Sequence, residues 1–124
     1  MKFRETILIV VAVAMTILCA CEPAATDRYG FDLPVGPGSA GNSTVTVDFN
    51  VSVMHLTGSI RASEGVLSAE VMSPSGAVVF TAIVEAPGEV LIDRYLPVEE
   101  GEWKMRYLSL NGTGYIRMQL NLIR

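Results

Sequence analysis

From Thr44 onward, hydrophobic and polar positions alternate as a half-buried β-strand requires. Val45, Val47, Phe49, Val51 and Val53 take every second position against Thr44, Thr46, Asp48, Asn50 and Ser52, which predicts one strand over 44–53. Near Met54 and His55 the phase slips, and Leu56, Ile60 and Ala62 share the other parity. A one-residue slip implies a bulge or a crossing from one sheet to another.

Further strands follow at short intervals. Gly65 supports a turn, and 66–72 places Leu67, Ala69 and Val71 on one face. Ser73-Pro74-Ser75-Gly76 is a tight turn, because Pro presets φ at the second position and Gly accepts positive φ. Residues 77–84 return as a nearly unbroken apolar run, the composition of a central strand. Pro87-Gly88 ends it. In 89–96, Val90 and Ile92 are expected inward, and Pro97 stops the strand. Glu99-Glu100-Gly101 turns into 102–110, where Trp103, Met105 and Tyr107 share a face. Asn111-Gly112-Thr113-Gly114 reads as a hairpin, and 115–123 closes the chain with Ile116, Met118, Leu120 and Leu122 in alternation.

These elements amount to about seven strands with no segment of helical period after Ala20, the pattern of a single antiparallel β-sandwich, Ig-like or jelly-roll-like. Trp103 is expected in its core together with Phe49, Phe80 and Ile116. The Cys…Trp…Cys framework of antibody domains is absent, so Ig-like describes architecture only.

The chain before Thr44 is of another kind. Lys2 and Arg4 precede an apolar run from Ile7 to Ala20, 14 residues broken only by Thr16. A bilayer-spanning helix needs about 20 residues, so the run has the length of a signal-peptide core. It ends Leu18-Cys19-Ala20-Cys21. This resembles the lipobox of prokaryotic lipoproteins, with an aliphatic residue at −3 and a small one before the cysteine. The resemblance implies cleavage after Ala20, a diacylglyceryl group on the Cys21 thiol, export, and attachment to the cell membrane through acyl chains, each buried CH₂ contributing about 0.8 kcal/mol. With Cys19 removed and Cys21 lipidated, no thiol remains for a disulfide, a zinc site or a nucleophile. The expected organisation is a signal peptide at 1–20, a tether at 21–43 and a sandwich at 44–124.

The tether assignment rests on Pro23, Pro34 and Pro37 with Gly30, Gly36, Gly38 and Gly41. Inside it, Tyr29, Phe31, Leu33 and Val35 alternate with Gly30, Asp32 and Pro34. Either this segment docks on the sandwich as an edge strand or clasp, or it is an extended motif that a partner protein captures.

Charge and candidate chemistry narrow the function. The formal net charge is −4, and residues 21–124 carry seven basic and twelve acidic side chains, a net of −5. An acidic remainder with scattered cations excludes the clustered basic face that nucleic acid requires. His55 is the only histidine, which excludes paired-histidine metal sites and relays. Glu99, Glu100 and Glu102 flank Gly101 but lack the D-x-D-x-D-G spacing that arranges calcium ligands. No G-x-S-x-G motif is present. Asn42, Asn50 and Asn111 open formal glycosylation sequons.

The run 74–80 followed by Gly101-Glu102-Trp103-Lys104-Met105 resembles small jelly-roll and Ig-like accessory domains of secreted proteins. The resemblance implies a domain that accompanies other proteins and does no chemistry. The expectation is a lipid-anchored envelope protein with a non-catalytic sandwich, no cofactor and no metal. Such a module binds or supports an envelope partner. A small exported enzyme or inhibitor with a loop site is the alternative.

Overall fold

The computed structural model describes residues 26–124. Eight strands form two sheets: β1 (Thr26–Val35), β2 (Ala40–Val47), β3 (Val53–Glu64), β4 (Val66–Met72), β5 (Val78–Glu85), β6 (Gly88–Leu96), β7 (Gly101–Ser109) and β8 (Thr113–Ile123). Sheet A runs β1-β8-β3-β6 and sheet B runs β2-β7-β4-β5, with every pairing antiparallel.

The topology follows from one turn. At the tip of β4 and β5, Ser73 N–H donates to Ala77 O and Gly76 N–H to Ser73 O, closing the predicted Ser73-Pro74-Ser75-Gly76 turn. The arms of this long hairpin then pair outward in succession, β4 with β5, β3 with β6, β2 with β7 and β1 with β8. Rolling the ribbon onto itself brings β8 against β3 and β7 against β4. This is the jelly roll, an eight-stranded β-sandwich in which only β4 and β5 are consecutive strands within one sheet.

The core lies between the sheets. Trp103, Met105 and Tyr107 of β7 and Ile116, Met118, Leu120 and Leu122 of β8 all face inward, as their alternation requires. The few buried polar side chains are satisfied: the Ser109 hydroxyl donates to Gly112 O at 2.6 Å and accepts the Gly112 N–H at 2.9 Å.

Six expectations are corrected. The sandwich begins at Thr26, because 26–35 and 40–47 are strands and not tether. Their prolines and glycines are compatible with this: Pro34 sits on an edge strand, where no ladder donor is needed, and Pro37 lies in the β1–β2 turn. The strand expected over 44–53 breaks at Asp48, whose Oδ1 accepts the Asn50 N–H at 2.9 Å. That turn carries the chain from sheet B to sheet A and accounts for the phase slip. It also leaves Phe49 at the corner, 79% exposed and outside the core. Val90, expected inward with the buried Ile92, stands exposed at the rim of β6. Asn111–Gly114 is a crossing between sheets and not a hairpin, held by the Ser109–Gly112 bonds and by Asn111 Oδ1, which accepts the Val66 N–H. Finally, the apolar run at 77–84 forms the edge strand β5, not a central one.

At one end of the sandwich, Arg124 donates to Asp27 and, at 3.2 Å, to Asp48, tying β1 and the β2–β3 turn to the end of β8. The Asn50 N–H, and then the Arg124 guanidinium, hold the Asp48 carboxyl below its ordinary value.

Close packing of the sheet leaves no room for a side chain at several glycines, Gly58 among them. Gly58, in the middle of β3, has φ +143°, and a Cβ there would lie 1.8 Å from the Arg117 carbonyl oxygen of β8. Gly58→Ala is expected to cost about 1–3 kcal/mol, read as a lower denaturation midpoint at unchanged slope. Gly36, with nothing within 4 Å of its Cβ position, should accept the same change with little effect.

Candidate functional site

The register of sheet A assembles a face that no single strand could. Residues of β1, β8, β3 and β6 that point away from the core line up in four cross-strand rows: Arg28, Asn121, His55 and Tyr95; Gly30, Gln119, Thr57 and Asp93; Asp32, Arg117, Ser59 and Leu91; Pro34, Tyr115, Arg61 and Glu89. Three arginines, two tyrosines and the only histidine thus share one open surface.

Most of its charges are matched across strands. Arg117 Nε lies 3.6 Å from Asp32 Oδ2, Arg61 Nε donates to Glu89 Oε2 at 2.8 Å, and His55 Nε2 is 2.5 Å from Asp93 Oδ1. Tyr115 donates its hydroxyl proton to Asp32, and that bond to a carboxylate pushes the phenol above its ordinary value near 10. Tyr115 therefore remains a neutral hydrogen-bond donor. The imidazole of His55 stacks on the Tyr95 ring at 4.1 Å and 7°, which leaves Tyr95 71% exposed on a supported platform. Beneath the row, Asn121 donates to His55 O and Thr57 Oγ1, fixing β8 to β3.

Two depressions open on this face. One, of about 250 Å³, lies among Ser59, Arg61, Tyr115 and Arg117. The other, of about 170 Å³, lies over Gly30 between Arg28, Asp32 and Gln119. A larger hollow of about 440 Å³ crosses the outer face of sheet B around the Arg106–Glu70 ion pair, with Asn42, Ser68 and Thr81 also on its lining. With its carboxylates paired, the sheet A face is equipped to hold a partner by hydrogen bonds, guanidinium contacts and aromatic area.

The sequence-level candidates fall into three groups. Phe31 and Val35 are buried, Leu33 packs partly against the core, and Tyr29 stands at the rim, 42% exposed. The segment is thus an edge strand clasped to β8, and its opposite parity, Arg28 and Asp32, contributes to the outward face of sheet A. The alternation of Tyr29, Phe31, Leu33 and Val35 with Asp32, carried back to Arg28, is the signal in the sequence that puts these two on the opposite side of the strand. Asn42, Asn50 and Asn111 are exposed, as are Glu100 and Glu102, with Glu99 half-buried. Among the described residues, no three His, Cys, Asp or Glu side chains converge to hold a metal ion. Cys21 and the Leu18-Cys19-Ala20-Cys21 motif lie outside the described residues. No protein-family model matches the chain, and none of the curated proteins matches it in sequence.

Proposed function

We propose that this chain is exported, lipidated on Cys21 and held at the membrane surface, where its jelly roll acts as a non-catalytic docking module for another envelope protein. The observation that carries the docking surface is the shared outward register of Arg28, Arg61, Arg117, Tyr95 and Tyr115 on sheet A. Arg and Tyr are among the side chains that most often dominate protein–protein binding energy. Four strands and four rows give a footprint of roughly 20 Å by 25 Å, near 500 Å². A stable interface uses about 800 Å² per partner, so this face makes a low-end, reversible contact. Anchoring compensates, because confinement to the membrane raises the effective concentration of a partner held there.

Lipidation and docking are tested separately. Cys21→Ser should accumulate as uncleaved precursor without acyl mass; a mature chain starting elsewhere would overturn the anchor. For docking, Tyr95→Ala and Arg117→Ala should each weaken capture of the envelope partner by about 2 kcal/mol, roughly thirtyfold, at unchanged melting temperature. Capture that is indifferent to both variants would remove sheet A as the surface.

A further inference from the structure

Strand β5 has the sequence of an interior strand and the position of an edge. Residues 78–84, VVFTAIV, hold no charge, proline or glycine, the composition of strands paired on both sides. Among the described residues, however, β5 pairs only with β4, so backbone donors and acceptors along its other side meet no strand.

The remaining edges carry features that discourage pairing with another chain. Strand β1 has Pro34 and the charges of Asp27, Arg28 and Asp32; β6 has Glu89, Asp93 and Arg94. Strand β2 is uncharged but begins Ala40-Gly41-Asn42-Ser43-Thr44, with little apolar content to cover. Only β5 combines an open edge with continuous β-branched and aromatic residues. Its Ile83 is 70% exposed and terminates the cross-strand row Ala40, Leu108, Ser68 and Ile83, so apolar surface on sheet B reaches the edge itself.

We propose that this edge is occupied by β5 of a second copy, the two strands pairing antiparallel about a two-fold axis to join both B sheets into one eight-stranded sheet. The strand is compatible with itself. With the axis at Thr81, Ala82 or Ile83, Phe80, Ala82 and Val84 face inward in both copies. Ile83 then lies opposite Val79, Thr81 or Ile83 of the second copy, and Glu85 never meets its own mate. No register therefore opposes like charges, and each gives Ile83 an uncharged neighbour.

The test measures the mass of the full chain in detergent by light scattering over a range of concentrations. Wild type should reach twice the monomer mass. Ile83→Lys and Thr81→Lys, which set like charges near the axis at exposed positions, should halve it while leaving the melting temperature unchanged. Leu108→Lys, two strands inside the edge on the same face, should remain dimeric. A wild type that is monomeric throughout, or a dimer that survives both edge lysines, overturns the proposal. So does a dimer lost in Cys21→Ser with β5 intact, because the association would then run through acyl chains.

Discussion

Trp103→Ala is expected to remove roughly 3–5 kcal/mol of folding stability. Small domains hold about 5–15 kcal/mol in total, so the variant should be marginally folded. Trp103 is fully buried on β7, an inner strand of sheet B between β2 and β4. Its indole fills the space between the sheets, and its Nε1–H donates to the Glu99 carbonyl at 2.8 Å. Alanine removes the largest fully buried side chain and leaves that carbonyl without its donor. Trp103→Phe should lose less, because it keeps much of the volume and forfeits mainly the hydrogen bond. The measurement is urea unfolding, and Trp103 is also its own reporter as the only tryptophan. Native emission identical to that of the unfolded chain would contradict its burial.

Phe31→Ala should produce a loss of similar size, about 3–5 kcal/mol, although Phe31 stands on an edge strand in a segment rich in proline and glycine. The reason is its location. Phe31 pairs with Met118 of β8 and sets its ring against that of Tyr107, centroids 4.8 Å apart and planes at 84°. Edge-to-face contact of this kind adds about 0.5–1.5 kcal/mol beyond area burial. Tyr29→Ala, at the rim, should cost far less. The pair of variants separates three roles for the segment. A tether would leave both melting temperatures unchanged. A captured motif would leave stability intact and abolish binding. A clasped strand loses stability at Phe31 alone, and that is the result expected from a thermal melt.

The two variants also divide what sequence could and could not disclose. Trp103, Met105 and Tyr107 were legible as one buried face because alternation is a local property, decided by the pleat within a single strand. The same holds for 115–123 and for the Ser73-Pro74-Ser75-Gly76 turn, whose φ requirements select their own residues. Phe49 misled because it continued the alternation perfectly across a corner. Its exposure is set by the Asp48–Asn50 turn, where the chain leaves one sheet for the other. The proposed docking face was less legible still: Asp32, Tyr115, Arg61 and Glu89 lie far apart in the chain and meet only through register between strands.

Local pattern therefore determined that the chain is β throughout its folded part, which faces are apolar, where the tightest turn lies, and that a lipobox-like segment precedes it. Tertiary structure alone decided the order of strands, the inclusion of 26–43 in the sandwich and the placing of β5 at an edge. The physical reason is that alternation states which side of a strand is buried but not which strand lies beside it. Neighbours are chosen when the long hairpin rolls up and the apolar faces of β1–β8 and β2–β7 close over one core.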